Sequence, residues 1–140
     1  MRRIMGLDVG DRTIGVAVSD PLGITAQGIT TIRRKGIKSD FSELEALIEQ
    51  YNVCKVVIGL PKNMNNTIGA QGEKVLQFVE KFKNNFSLEV VLQDERLTTV
   101  SAERMLIDAD VSRKKRKDVI DKVAATYILN SYLDKNKKGD

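Results

Sequence analysis

Histidine is missing from this chain altogether, and so is tryptophan. Without histidine the chain cannot build a Ser-His-Asp or Cys-His nucleophilic site, a histidine-ligated zinc centre or a histidine general base. Any hydrolytic chemistry must therefore use carboxylates, lysine, tyrosine, hydroxyl groups or a metal ion held by oxygen ligands.

Cysteine and long apolar runs are also scarce. The one cysteine, Cys54, opens the apolar segment CKVVIGL and is interpreted as a core thiol, because a lone cysteine builds no disulfide framework. No run of about 18 apolar residues occurs, so neither a transmembrane helix nor a membrane partner is expected. The opening MRR is not typical of a signal peptide, which favours a cytoplasmic protein. The 140 residues are expected to form a single domain over 1–140.

Positive charge is in modest excess and is concentrated in two places. Lysine and arginine number 23 against 19 acidic residues, which gives a net charge of +4. The longer cluster, the basic run, consists of Arg113, Lys114, Lys115, Arg116 and Lys117. The shorter cluster consists of Arg33, Arg34, Lys35 and Lys38. Blocks of one sign suit phosphate backbones, so nucleic acid is the expected partner, with a solvated surface as the alternative.

The first third of the chain is typical of β-strands. RIMGLDV and TIGVAVSD flank a GDR turn, and TAQGITTIRR follows the PLGI turn. These short connections predict an antiparallel meander, whereas the later strands KVVIG and SLEVVLQ follow helical segments and should run parallel to the first strand. The pattern predicts an α/β fold with a five-stranded mixed sheet of order 3-2-1-4-5, strand 2 antiparallel, and helices on both faces.

Helical periodicity begins near residue 39. Ser39 or Asp40 can cap the first helix, and Glu43 stands three residues after Asp40 as in a capping box. A third helix is predicted over about 98–108 and a last helix over about 118–133. The basic run is expected to form a loop before that last helix.

Three carboxylates are placed where they can meet. Asp8 lies near the carboxyl end of the first strand, and Glu95 lies just past the fifth. Ligands collect beyond the carboxyl ends of parallel strands. Asp121 flanks the last helix, where the small Ala124 and Ala125 allow a close approach to the sheet.

Clustered carboxylates repel one another unless a cation lies among them. Oxygen ligands favour Mg²⁺ or Mn²⁺, and two such ions with substrate bound can support phosphodiester cleavage. The alternatives are a turn cap for Asp8, an ion pair with Arg96 for Glu95, and an ordinary surface position for Asp121.

Four segments in matching order resemble the YqgF/RuvX family: GLDVGDRTIGVAVSD, VVIGLPKNMNNTIGAQ, LQDERLTTVSA and KDVIDKVAATYILNSYL. The resemblance spans nearly the whole chain. It implies a ribonuclease H-like fold and divalent-metal-dependent phosphodiester hydrolysis, with Asp8, Glu95 and Asp121 as the metal-binding catalytic acids. The family often carries Asn-Met-Asp-Gly where this chain has Asn-Met-Asn-Asn at 63–66, so no metal ligand is expected in that loop.

Other polar residues are candidates for contact with nucleic acid. Lys62 and Asn63 can offer donors at the rim of the site, with a simple polar loop as the alternative. Arg12 can approach the scissile phosphate or pair with Asp11. Arg96 can likewise approach the phosphate or pair with Glu95.

The resemblance also implies a substrate. The family is associated with 5′-end processing of pre-16S rRNA, so a nuclease acting on structured RNA in ribosome biogenesis is the leading expectation. One alternative is a resolvase of branched four-way DNA, and another is a nucleic-acid-binding regulatory factor with little catalysis. A monomer or weak homodimer is expected, because no dimerisation helix is evident. A nucleotide-binding domain of the actin and sugar-kinase type is disfavoured, because that fold clamps its nucleotide between two domains.

Overall fold

A computed structural model of the protein describes residues 2–63, 65, 67–95 and 113–138, with the backbone alone described at 95, 113–121, 137 and 138. In chain order the described elements are β1 (Arg3–Val9), β2 (Thr13–Ser19), β3 (Ala26–Arg33), α1 (Ile37–Gln50), β4 (Val53–Pro61), α2 (Ala70–Asn85), β5 (Glu89–Glu95) and α3 (Arg113–Lys138).

The strands form one mixed sheet in the order β3-β2-β1-β4-β5. β2 pairs antiparallel with β1 and with β3, while β1, β4 and β5 run parallel. The predicted ribonuclease H-like sheet is therefore confirmed, including its strand order and the direction of β2. The tight β1–β2 connection permits only an antiparallel pair, and the helical crossovers before β4 and β5 return the chain in the parallel direction.

Side chains alternate along each strand, so the sheet has two different faces. Met5, Leu7 and Val9 of β1 belong to the larger core, which also contains Phe41 of α1 and Phe82 of α2. The smaller core lies on the opposite face. It contains Ala17 of β2, Val57 of β4 and, from α3, Ala125, Ile128, Leu129, Tyr132 and Leu133.

Helix α3 approaches the sheet closely at a glycine. A Cβ atom at Gly6 would lie 2.8 Å from Leu129 Cβ and 3.0 Å from the carbonyl oxygen of Ala125. Ala124 and Ala125 are both buried, as the close approach inferred from their small side chains requires. Glycine in β1 and alanine in α3 thus set the distance between strand and helix.

The predicted cap of the first helix is wrong. Helix α1 begins at Ile37, after Gly36, and has no side-chain cap. Asp40 is fully buried in the first turn, where its carboxylate accepts hydrogen bonds from Lys35 N (3.1 Å) and Arg34 Nε (3.0 Å). The helix starts earlier than its apolar stripe suggests, because the preceding basic segment folds back onto this carboxylate.

The predicted loop at the basic run is also wrong, since the backbone of 113–117 forms the first turns of α3. Lysine and arginine are good helix formers, which extends the helix beyond its apolar pattern. The predicted helix at 98–108 lies outside the described residues. None of the described helices is long and apolar enough to cross a membrane.

Candidate active site

The candidate site lies at the edge of the sheet where the parallel strands β1, β4 and β5 end. Leu7 of β1 is in register with Ile58 of β4, and Pro61, the last residue of β4, is in register with Glu95 of β5. The carboxyl ends of these strands therefore share one edge, which is where parallel sheets bind ligands.

Asp8 lies at this edge, on the α3 side of the sheet. Its neighbours Leu7 and Val9 both belong to the core under α1 and α2, so alternation directs Asp8 to the other face. The residue is half-buried. A carboxylate in that position is costly to desolvate unless polar groups or a cation compensate for the lost water.

Two glycines flank Asp8. Gly15 of β2 is its register partner, and Gly59 of β4 follows Ile58, the partner of Leu7. Both glycines alternate with residues of the larger core, so each occupies a position that faces α3. The positions directly beside Asp8 on β2 and β4 are therefore both glycine on that face. Sequence analysis missed this arrangement, because the two glycines become neighbours of Asp8 only through strand pairing.

Gln93 of β5 is a second polar residue on the same face. It is in register with Gly59 and shares its side of the strand with Val91, which packs against the smaller core. Gln93 is buried, with 7% of its surface exposed. Asp8, Gly59 and Gln93 thus form a row across three strands. Sequence analysis did not single out Gln93, although a polar residue inside the apolar segment SLEVVLQ was an available signal.

The backbone places Glu95 at the same edge. It is the last residue of β5 and lies two positions beyond Gln93. β1 and β5 are separated by two strand spacings, or roughly 10 Å across the sheet. The side chain of Glu95 lies outside the described part of the structure, so only its backbone position is known.

The backbone position of Asp121 is one turn before Ala125 in α3. Tyr132 contacts Lys55, the register partner of Ile4, while Ala125 and Leu129 contact Gly6. β1 and α3 therefore run in opposite directions, and the residues near the start of α3 lie close to the Asp8 end of β1. The side chain of Asp121 is not among those described. Among the described side chains, no group of three acidic or cysteine residues could hold a metal ion.

The loop after β4 is held by its own hydrogen bonds. Asn63 donates from its backbone N–H to Thr67 O and from Nδ2 to Thr67 Oγ1, both at 2.9 Å, and it remains exposed. Lys62 forms an ion pair with Asp94 of β5, with Nζ and Oδ2 3.7 Å apart. Lys62 and Asn63 therefore lie at the rim of this edge, as expected from their positions after β4.

Arg12 lies in the β1–β2 turn, and its side chain is exposed. Asp11, the alternative partner considered for it, instead forms an ion pair with Lys74 of α2, at 3.1 Å. Arg96 lies outside the described residues. The basic run lies in the first turns of α3, with only its backbone described.

Comparison with known proteins gives a consistent result. A family model described as "RuvX: Holliday junction resolvase" matches residues 2–135. A Clostridium botulinum (strain Hall) protein named "Putative pre-16S rRNA nuclease" is 58% identical over 136 residues, which cover 97% of this chain and 99% of the relative. A Clostridium acetobutylicum protein of the same name is 62% identical over 132 residues, which cover 94% and 98%.

Two solved structures share the fold at low sequence identity. The fowlpox virus resolvase in complex with Holliday junction DNA has a TM-score of 0.58 and 15% identity, covering 96% of this chain and 98% of that one. Thermus thermophilus RuvC in complex with a Holliday junction substrate has a TM-score of 0.59 and 11% identity, covering 99% and 97%. The likeness supports the ribonuclease H-like architecture of the sheet.

Proposed function

The chain belongs to the RuvX family, and we propose that it is the endonuclease that processes the structured 5′ region of precursor 16S rRNA. Membership makes it a hydrolase that acts on phosphodiester bonds. The choice of ribosomal precursor follows the names of the relatives that the chain matches. We also propose a cytoplasmic location, which fits a nuclease that acts on ribosomal precursors, and a single domain over 1–140.

The observation that carries this proposal is the position of Asp8. The carboxylate lies at the carboxyl edge of the central strand, half-buried, between two strands that present glycine at the neighbouring positions. Glycine at both positions leaves room beside this carboxylate on the α3 face. A carboxylate that binds a ligand needs that space, because the ligand must approach from the α3 side.

The donor chemistry of this edge fits a hard divalent cation. The chain has no histidine, and its one cysteine, Cys54, lies near the start of β4, far from the edge. Asp8, with Glu95 and Asp121, would hold Mg²⁺ or Mn²⁺ through carboxylate oxygens. When bound, the metal would lower the pKa of a water molecule and stabilise the leaving oxygen.

The protein's own residues would orient the substrate. The backbone of Asp8 pairs with Gly15 of β2, and the preceding Leu7 pairs with Ile58 of β4, so the carboxylate is carried by a strand held on both sides. The exposed Arg12 and the rim residues Lys62 and Asn63 would contact phosphates on either side of the scissile bond. Arg96 and the basic run would extend this contact along the nucleic acid.

A four-way DNA junction is the second candidate substrate, because the family model is described as that of a Holliday junction resolvase. Symmetric junction cleavage requires two active sites related by a two-fold axis, and hence a dimer. We propose a monomer or weak homodimer, which fits cleavage of an RNA end better than paired incisions.

The decisive experiment compares wild-type protein with Asp8→Asn on four substrates: a precursor 16S fragment, its mature counterpart, DNA of the same sequence and a four-way DNA junction. Each is incubated with Mg²⁺, with Mn²⁺ or with a chelator. We expect metal-dependent cleavage of the precursor. We expect Asp8→Asn to lower the rate at least about a thousandfold, because the metal site supplies several kcal/mol of transition-state stabilisation.

Asp20→Asn is the matched control. Asp20 lies in the β2–β3 turn at the opposite edge of the sheet, where its Oδ1 accepts hydrogen bonds from Ile24 N and Thr25 N. This variant should cleave at the wild-type rate. Full activity of Asp8→Asn with an unchanged melting temperature would refute the proposal. Preferential cleavage of the four-way junction would show that the substrate is DNA and not precursor RNA.

A further inference from the structure

A cleft lined by basic residues lies on the face of the sheet opposite α3. It has a volume of about 180 Å³ and is open to solvent at the end of β1. Its cationic residues are Arg34, Lys74 and Lys81, its amides are Gln71 and Gln77, and Asp11 is its one acid. We call this set the basic cleft. With the buried Asp40 that pairs with Arg34 included, three cations stand against two carboxylates, which leaves a net charge of +1.

Arg34 is the fixed cation of the basic cleft. Its Nε donates to the buried Asp40 at 3.0 Å, one terminal nitrogen donates to Gly10 O at 2.9 Å, and its guanidinium lies over the Phe78 ring at 5.6 Å. These bonds use two of the five N–H donors of the guanidinium. The shorter basic cluster of the sequence therefore contributes a cation to the lining of the cleft, and these contacts hold its guanidinium in place.

The two lysines are adjustable cations on one side of α2. Lys74 and Lys81 are seven residues apart, which is two helical turns, so both face the cleft. Lys74 forms an ion pair with Asp11 at 3.1 Å, but the side chains of Lys74 and Asp11 are each 59% exposed. An exposed ion pair contributes only about 0–1 kcal/mol to stability. A phosphate can therefore replace Asp11 as the partner of Lys74 at little cost in free energy.

The basic cleft adjoins the candidate active site across the thickness of the sheet. Val9 and Gly10 line the cleft, and they directly follow Asp8 in the chain. Gln71 of α2 donates to Val9 O at 3.3 Å, which joins the helix to the end of β1. A strand of nucleic acid that passes over the sheet edge at Asp8 would therefore reach the cleft next.

We infer that the basic cleft binds a backbone phosphate of the nucleic acid strand whose scissile bond lies at Asp8. The inference rests on the proposed function, since it extends the substrate path from one face of the sheet to the other. It assigns a positioning role to Lys74, Lys81 and Arg34. None of them takes part in the chemical step.

The test measures the affinity of a labelled precursor RNA fragment at several salt concentrations, without divalent cations, so that cleavage does not interfere. Lys74→Gln/Lys81→Gln is compared with Lys83→Gln/Lys135→Gln, which removes the same charge from two exposed lysines outside the cleft. The cleft variant should bind roughly 10-fold or more weakly at low salt. The slope of log affinity against log salt should fall by roughly 0.7–0.9, which is the contribution of one phosphate contact.

A cleavage assay separates this inference from the proposed function. With saturating RNA, the cleft variant should retain a kcat within about twofold of wild type while its KM rises, because lost binding that is equal in ground and transition states affects KM alone. Equal affinities and slopes for the two double variants would overturn the inference and leave the nuclease intact. Failure of the wild-type protein to bind or cleave any nucleic acid would overturn both.

The basic cleft could bind inorganic phosphate instead of a phosphate of the RNA backbone. Inorganic phosphate is added to wild-type and cleft-variant protein, and the melting temperature is followed. If phosphate stabilises the wild type alone while both double variants bind RNA equally, the cleft is a small-anion site and the inference fails.

Discussion

The two faces of the sheet are built from the same strands but differ in what their side chains do. Among the described residues, the face under α1 and α2 buries seventeen apolar residues in one cluster, and the face under α3 buries seven. The first face contains a group of stacked phenylalanines, whereas the second meets α3 at Gly6, Ala17 and Ala125. Asp8 and the buried Gln93 both lie on the second face.

This difference indicates a division of tasks. The larger core stabilises the sheet through apolar side chains alone, and the polar groups on that side lie at its border, in the basic cleft. The α3 face buries fewer apolar residues in its cluster. It has polar side chains and glycine at the edge where ligands bind. Leu7 and Asp8 are neighbours in sequence, yet they belong to opposite sides of this division.

The largest effect on stability should come from Phe82→Ala. Phe82 is fully buried and stacks on Phe86, with ring centroids 4.4 Å apart, and it meets Phe41 edge-on at 5.9 Å. Removing the ring should lower the free energy of unfolding by about 3–5 kcal/mol, measured by urea denaturation. Cleavage by the folded fraction should be unchanged, because the ring lies on the face away from Asp8.

Phe82→Leu keeps most of the buried volume and should lose less than half as much stability. A cleavage rate that falls in proportion to stability, at a temperature where the variant is fully folded, would contradict the division between the faces.

A smaller loss of stability, but a larger loss of activity, is expected for Gly6→Ala. The new Cβ would lie 2.8 Å from Leu129 Cβ and 3.0 Å from a backbone oxygen, so strand and helix must separate. We expect a cost of about 1–3 kcal/mol together with slower cleavage, because α3 carries Asp121. Urea denaturation and the single-turnover cleavage rate measure the two effects.

Gly28→Ala is the matched control on the same face. Its Cβ would meet the side chains of Lys122 and Thr126 at 3.1–3.3 Å, and the flexible lysine can move aside. If this variant lost as much stability and activity as Gly6→Ala, the helix would not be positioned by its contact with Gly6.

The smallest effect is expected at the opposite edge of the sheet. Lys55 Nζ donates to Tyr132 Oη at 3.0 Å and pairs with Glu89 at 3.1 Å. The hydrogen bond to Tyr132, followed by the bond to Glu89, raises the pKa of Lys55 above its usual 10.5. Because the pKa of Lys55 is higher in the folded protein than in the unfolded chain, its contacts stabilise the fold fully below pH 10.5. This stabilisation is lost as the pH rises through the pKa of the folded protein.

Lys55→Met should therefore lower stability by at most about 1 kcal/mol near neutral pH. The difference from wild type should shrink above pH 10.5. Thermal unfolding of both proteins from pH 7 to 11 measures it, with Glu89→Gln as a control that retains the Tyr132 bond. A difference that grew with pH would contradict the assigned direction of the pKa shift.

Much of the fold could be predicted from the sequence because its signals are local. Alternating apolar residues identify strands, a period near 3.6 identifies helices, and connection length fixes the relative direction of neighbouring strands. Asp8 was recognisable for the same reason, as a carboxylate inside an apolar strand. The segments around Asp8, Glu95 and Asp121 also carried the family resemblance.

The sequence misled where two local signals competed. Asp40 resembles a helix cap, but its carboxylate is buried and accepts hydrogen bonds from the segment before the helix. The basic run resembles a loop because of its charge, but the helix propensity of lysine and arginine prevails in the backbone.

By itself, then, the sequence determined which residues form strands, the order of the elements, and the presence of an acid at the end of the first strand. Only the tertiary structure decided which residues lie beside that acid. Through strand register, Gly15 and Gly59 become the neighbours of Asp8 and Gln93 joins the same row. Through the packing of α2 against the sheet, Arg34, Lys74 and Lys81 come to line the basic cleft. Alternation and helical period are properties of one segment, whereas register and helix position depend on contacts between residues far apart in the chain.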